Sequence, residues 1–188
     1  MKVTRRVRAA GLCALAVSAT MLAVGSTPAA ASVAPLFRAK LMANHSGKCL
    51  DVPGASQAAG QPVQQWHCYD APDNQTWNFV AAYNSDLGGG YLADNYYTVR
   101  AQHSGMCLEV QGGSTADGAS VVQQPCDTSY QTTQQQWKLV QRPDGYFSLV
   151  ARHSGKCLTV PQGILADGIY VGQQGCSNDL PYQEWKLV

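Results

Sequence analysis

His45-Ser46-Gly47-Lys48-Cys49-Leu50-Asp51-Val52 occurs twice more with few changes, as His103-Ser104-Gly105-Met106-Cys107-Leu108-Glu109-Val110 and His153-Ser154-Gly155-Lys156-Cys157-Leu158-Thr159-Val160. In each copy a second cysteine follows 19 residues after the first, at Cys68, Cys126 and Cys176. A Gln-x-Trp signature then closes the copy: Gln75-Thr76-Trp77, Gln135-Gln136-Trp137 and Gln183-Glu184-Trp185. The chain is therefore an internal threefold repeat over residues 37–80, 95–140 and 145–188, and a period of this length decides the architecture before any single residue does.

Within a repeat, short apolar runs are cut by turn residues, as in Tyr146-Phe147-Ser148-Leu149-Val150-Ala151 before His-Ser-Gly. Such spacing indicates short strands in an all-β barrel or sandwich. No segment sustains an apolar period of a helical kind, so helices should be few. Three units are too few for a propeller, whereas three four-stranded units closing on one another make a compact barrel. The tryptophan of each signature is expected in the shared core, where a large ring gains most from burial. The neighbouring Gln either braces a loop backbone or reaches a ligand. The His-Ser-Gly triplets are identical in all repeats and read as turn chemistry. From Cys49 to Cys107 is 58 residues against 50 from Cys107 to Cys157. The excess includes the Gly-rich stretch from Ser85 to Tyr91 and predicts a longer hairpin between the first two repeats.

Upstream of the repeats, Lys2, Arg5, Arg6 and Arg8 precede an apolar run from Ala9 to Val24 and then Ala29-Ala30-Ala31. This is the pattern of a signal peptide over residues 1–31, leaving one domain over 32–188. The run is short and Ala-rich for a membrane span, so no membrane insertion is expected. The arginine-rich, alanine-rich leader has a bacterial character, and the product should be secreted. Without the leader the chain keeps 9 Lys plus Arg against 12 Asp plus Glu, a net charge of −3. That balance argues against a nucleic-acid partner, which would reward a basic surface.

The six cysteines of the repeats are an even set in an exported chain. The interval of 19 residues, found three times, favours the pairs Cys49 with Cys68, Cys107 with Cys126 and Cys157 with Cys176. Closing loops of this size contributes on the order of 3 kcal/mol each in the chain-entropy account. Structural zinc needs closely spaced Cys or His pairs, which are missing, so neither metal nor cofactor is expected.

Three copies of Cys-Leu-x-Val, a second Cys and Gln-x-Trp make the chain resemble the ricin B-chain-like lectins, also classed among carbohydrate-binding modules. The resemblance runs from Phe37 to Val188 and implies an all-β fold, a β-trefoil of about twelve strands, with one shallow sugar site possible per repeat. The family builds its pocket from an Asp after Cys-Leu, a Gln and an aromatic before the second Cys, and an Asn beside the Gln of Gln-x-Trp. The first repeat matches throughout, with Asp51, Gln64, Trp66, Asn74 and Gln75. The residue types suit the chemistry. A carboxylate accepts charge-assisted hydrogen bonds from sugar hydroxyls, an indole offers a flat apolar face to a pyranose, and an amide both donates and accepts.

The second repeat has Glu109, Val122, Gln124 and Gln134 at those places, with Tyr130 as a replacement ring. The third has Thr159, Gly172, Gln174 and Tyr182, and reads as structural, with Tyr170 and Tyr182 as its available rings. The implied partner is a carbohydrate, a galactose- or xylose-type glycan or plant polysaccharide; the oligomeric state is not legible. Nothing suggests an enzyme: no nucleophile elbow or metal-ligand helix motif occurs, and shallow pockets give no hint of the paired carboxylates of glycoside hydrolysis. The other reading is a trefoil that binds protein, as a hydrolase inhibitor or scaffold, through the Ser85–Tyr91 loop. Asn44 and Asn74 sit in N-glycosylation patterns, which carry weight only in a eukaryotic source.

Overall fold

The computed structural model describes residues 35–70, 72–83, 92–129 and 131–188. The leader, the loop from Ser85 to Tyr91 and Tyr130 lie outside them. Among the described residues there is no α-helix, only short 3-10 turns between fourteen strands. In chain order these are β1 Phe37–Ala39, β2 Leu41–Ala43, β3 Cys49–Asp51, β4 Gln64–Trp66, β5 Trp77–Tyr83, β6 Leu92–Ala101 and β7 Cys107–Val110. They continue as β8 Val121–Gln124, β9 Gln136–Gln141, β10 Phe147–Ala151, β11 Cys157–Thr159, β12 Ile169–Tyr170, β13 Gly172–Gln174 and β14 Trp185–Leu187.

The count exceeds twelve for two local reasons. Lys40 interrupts what is one strand in the other repeats: β1 pairs with β5, β2 pairs with β14, and Lys40 itself exchanges backbone hydrogen bonds with Val188. The second addition is the two-residue β12, which pairs with β4 of the first repeat. With β1 and β2 taken as one, the first and last strands of each repeat form a closed six-stranded barrel, in the order β1/β2, β5, β6, β9, β10 and β14. The inner hairpins β3–β4, β7–β8 and β11–β13 cover one end. This is a β-trefoil, and all three disulfides join the residues that the repeat spacing had paired. The long hairpin expected between the first two repeats is present as β5 and β6, paired in one register from Trp77 opposite Ala101 to Ala81 opposite Tyr97, with an irregularity before Tyr83 meets Leu92.

The core is built by the alternation of the barrel strands. Trp77, Trp137 and Trp185 are fully buried with Phe79, Leu41 and Leu149, joined by Leu50, Leu108 and Leu158 from the caps. Each indole nitrogen must be paired once water is gone. Each donates to the carbonyl of the Leu that follows the first cysteine of its repeat: Leu50 at 3.0 Å, Leu108 at 2.9 Å and Leu158 at 3.2 Å. The Cys-Leu and Gln-x-Trp motifs are thus two halves of one buried contact.

The repeats are joined by a second set of buried polar groups. Gln65, Gln123 and Gln173 are fully buried. The Gln123 amide donates to Ser56 and Ala58 of the preceding repeat and accepts from the Ser104 hydroxyl at 2.9 Å. Gln173 does the same with Ser114, Ala116 and Ser154, and Gln65 with Ile164, Ala166 and Ser46. The histidine of each triplet adds its Nε2 to the same carbonyls, as His103 does with Ser56 at 2.9 Å. His-Ser-Gly is therefore a turn whose side chains also grip the neighbouring repeat, with the glycine at positive φ where the chain reverses. At the pseudo-threefold axis the amides run in a ring, Val63 to Val121, Val121 to Val171 and Val171 to Val63.

Replacing Gln123 by Leu keeps the volume but removes two hydrogen bonds to the preceding repeat and the acceptor of the Ser104 hydroxyl. Each lost bond costs about 0.5–1.5 kcal/mol, so chemical denaturation should show a destabilisation of about 2 kcal/mol or more. A change below about 0.5 kcal/mol would mean that this clamp does not hold the repeats together.

Candidate functional site

Beside the first disulfide a cavity of 520 Å³ opens, lined by Asp51, Gln64, Trp66 and Asn74, together with Pro53, Gly54, Ala55 and Tyr69. Four of the five residues expected from the sequence meet there. Their convergence follows from strand register: Asp51 of β3 stands opposite Gln64 of β4, and Trp66 opposite Cys49. The hairpin thus presents the carboxylate and the indole on one side, two residues apart. Asn74 arrives from the loop before β5, anchored by its side-chain amide on the Val52 carbonyl at 3.0 Å.

Asp51 is only 2% exposed and forms the floor of the cavity. Its Oδ1 accepts from the Gln64 amide at 2.8 Å; its Oδ2 accepts from Asn74 at 2.9 Å and from Gln75 at 3.0 Å. An ionised carboxylate has about four acceptor positions. Three amides fill three of them, and one remains for a donor entering the cavity. Burial pushes the Asp51 carboxyl above the usual carboxylate range, against the opposing pull of the hydrogen bonds from Gln64 and Gln75 and the nearby His103 and His67. The charge is held in place by amides instead of a cation, so it stays available to a neutral polar ligand.

Trp66 forms one wall. Behind it lies Gly168 of the third repeat, at a positive φ of 77°, where a Cβ would make an ordinary contact of 3.5 Å with the indole ring. Asp167 fixes the same edge: it accepts from the His67 backbone at 2.9 Å and pairs with Lys48 at 2.7 Å. The wall of the first-repeat site is thus set partly by the third repeat. Tyr69 was not anticipated from the sequence. Its hydroxyl accepts from the Trp66 indole nitrogen at 3.2 Å, and its ring packs edge-on against His67 at 4.4 Å. That leaves the phenolic proton free to donate. A comparison of the position after the second cysteine, Tyr69 against Asp127 and Ser177, carries the signal that would have found it.

Gln75 requires a correction. It does not line the cavity: it is fully buried, donates to Asp51 and to the His67 carbonyl at 2.9 Å, and accepts from the Tyr69 backbone at 3.0 Å. Gln135 and Gln183 brace the same loop in the other repeats, Gln135 through Pro125 and Asp127, and Gln183 through Gly175 and Ser177. Gln75 is a positioning residue beneath Asp51, not a contact surface.

Among the described residues, the equivalent places in the other repeats carry different side chains. In the second, Glu109 accepts from Gln135 at 2.6 Å, Val122 replaces the amide of Gln64, and Gln134 lies against Gly113. In the third, the Tyr182 ring packs so tightly on Gly163 that a Cβ there would come within 2.8 Å of it. Gly172 stands where Gln64 does in the first repeat, and a side chain there would meet the Ala119 carbonyl at 2.9 Å. Tyr182 is therefore half-buried filler, while Tyr170 is 53% exposed on β12, where its backbone stands opposite Gln64 of the first-repeat cavity.

A threefold trefoil with an indole-and-carboxylate cavity in one repeat is the architecture of a lectin-type domain. The chain belongs to the ricin-type beta-trefoil lectin domain-like family, which matches residues 38–92, 73–174 and 133–188. Compared with curated proteins, the sequence finds no match. Among solved structures it is similar to ThreeFoil, a designed 3-fold symmetric protein, at 43% identity and TM-score 0.70 over 80% of this chain and 97% of that one. It is also similar to an exo-beta-1,3-galactanase from Clostridium thermocellum, at 27% identity and TM-score 0.71, covering 84% of this chain but 31% of the enzyme. The hemolytic lectin CEL-III is 28% identical with TM-score 0.59, over 84% of this chain and 32% of that one.

A carboxyl carbon followed by NMR at Asp51 should titrate with a midpoint above 3.8. Replacing Gln75 by Met removes one stabilising amide and should move the midpoint further up. A midpoint at or below the ordinary value would contradict the burial described for this group.

Proposed function

We propose that this chain is a secreted carbohydrate-binding protein that recognises galactose- or xylose-type sugars, free or in polysaccharides, through the first-repeat cavity. The carrying observation is the single open acceptor position of Asp51 on the cavity floor, flanked by the Trp66 wall. A pyranose lays its C–H face on the indole and turns one hydroxyl down to the carboxylate, a charge-assisted bond. A neighbouring hydroxyl meets Gln64 or Asn74, whose amide oxygens remain as acceptors, and the Tyr69 hydroxyl donates from the rim. The galactose end of the proposal draws support from the family and from the galactanase that shares the fold. Residues 1–31 act as the export signal, and the three disulfides suit an oxidising destination. The protein acts by binding and not by catalysis, because one carboxylate in a shallow cavity supplies no acid–base pair.

A site this small holds a monosaccharide with a Kd of about 0.1–1 mM. Passage over immobilised galactose and over xylan should show retention on at least one, with release by the free sugar. Trp66→Ala should weaken binding by about tenfold or more, the loss of a stacking platform and its buried area. A variant that binds as well as the parent would remove the first-repeat site from consideration, and free passage of the parent over both matrices would favour a protein ligand.

Binding should also depend on acidity in a defined direction. Only the ionised Asp51 accepts two-sidedly, so affinity falls as pH drops through its pKa, and since burial raises that pKa the loss begins at less acidic pH than for an exposed aspartate. Titration calorimetry between neutral pH and pH about 4 reads this effect. Asp51→Asn should bind weakly with a flat pH profile; an equally steep profile in that variant would assign the dependence to another group.

A further inference from the structure

A second cavity, of 300 Å³, lies on the outer face of the barrel where β1, β5 and β6 run side by side. Register places Arg38, Asn78 and Arg100 in one row across the three strands, so two arginines start about 10 Å apart with an amide between them. Gln102 lines the same cavity. The side-chain oxygens of Asn78 and Gln102 are buried and meet no donor. Buried acceptors are ordinarily paired, and an exception calls for a reason.

The threefold repeat supplies an internal control. Between the second and third repeats, the equivalents of Arg38, Asn78 and Gln102 are Tyr96, Lys138 and Arg152. There the two cations sit over the Tyr96 ring, at 5.8 and 5.1 Å, and Arg152 donates to Gln136 at 2.6 Å. Between the third and first repeats, Lys186 lies over Tyr146 at 5.9 Å and Asn44 donates to Glu184 at 2.7 Å. Both places are satisfied from within. Only at the β1–β5–β6 face is the ring replaced by a second cation and the polar set left open.

The cations themselves are also exceptional. Every other Lys and Arg among the described residues is engaged: Lys48 and Lys156 by aspartates, Lys40 and Arg142 by carbonyls, the rest by rings or amides. Among the described residues Arg38 has no partner, and Arg100 gives only its Nε to Thr98 at 3.3 Å, leaving its terminal nitrogens free of them. Two free guanidiniums call for an oxyanion, which they bind in a forked geometry. The two unpaired amide oxygens call for hydroxyl donors, and a bare inorganic anion has none to offer.

We propose that this cleft is a second ligand site, for an acidic saccharide that carries a carboxylate or sulfate beside free hydroxyls. The anionic group lies between Arg38 and Arg100, and hydroxyls of the same ring donate to Asn78 and Gln102. The first-repeat cavity is built for a neutral sugar, so the two sites would let one domain hold a glycan that mixes neutral and acidic residues.

The test is NMR titration of the isotopically labelled chain with trigalacturonate, with a sulfated galactan oligosaccharide and with neutral galactotriose. The acidic probes should shift the Arg38 and Arg100 Nε–H and the Asn78 and Gln102 amide signals, while galactotriose leaves them in place. A response to only one acidic probe tells carboxylate from sulfate as the natural source. Arg38→Gln with Arg100→Gln, both solvent-accessible changes checked for folding by circular dichroism, should weaken the acidic probe by about fivefold or more, the contribution of an exposed charge contact. Trp66→Ala should leave these shifts unchanged, which separates this site from the first. Equal responses to galacturonate and to the neutral probe, or undiminished acidic binding in the double arginine variant, would overturn the proposal.

Discussion

The structure depends on how three short repeats, none with a core of its own, are made to close. The decisive contact is the buried side chain of Gln65, Gln123 and Gln173, each of which reaches out of its own hairpin to two carbonyls of the neighbouring repeat. Burying an amide without partners is costly, and burying one with all partners satisfied makes a specific joint. Because the joint is cyclic, no repeat can leave without breaking two of them. The tryptophans are the largest of the fully buried side chains in the barrel, but an apolar core alone would accept several registers. The glutamines, with the serine and histidine of each His-Ser-Gly turn, select one.

The same device explains why the surface is free to differ between repeats. Everything that holds the trefoil together is repeated three times: the disulfides, the indole-to-Leu bonds, the loop-bracing glutamines of Gln-x-Trp. Positions that point away from these contacts carry no such duty. Lys48 with Asp167 and Lys156 with Asp117 are equivalent ion pairs, and the third place holds Met106 and Ala59 without loss of the fold. Positions that line the first-repeat cavity, and their equivalents, have diverged further, leaving an open cavity in the first repeat and a tyrosine packed on glycine in the third.

Electrostatically, the first-repeat site holds a buried acidic side chain by amides and without a salt bridge, the hydrogen bonds offsetting part of the rise in pKa that burial causes. A cation beside Asp51 would neutralise it and compete with the ligand. Three neutral amides stabilise the charge, fix its direction and leave one acceptor position unfilled. The buried setting strengthens any bond made there, because water no longer competes. Gln75 takes part in this from behind, so its effect on a ligand passes through Asp51.

The sequence by itself determined the threefold period, the disulfide pairing, the fate of the three tryptophans and the convergence of Asp51, Gln64, Trp66 and Asn74. The first three follow from spacing repeated in register, and the convergence of the four side chains was what the family resemblance implied, realised because a strand pair in register fixes which side chains share a face. Tertiary structure alone decided the rest. Tyr69 joined the cavity because a loop after Cys68 folds back over Trp66, Gln75 turned inward beneath the carboxylate, and Asp167 from the far end of the chain holds the backbone next to the indole. The row of Arg38, Asn78 and Arg100 likewise exists only once β1, β5 and β6 lie side by side. These features depend on contacts between segments distant in sequence, and no local pattern of residue types encodes which distant backbone will arrive beside them.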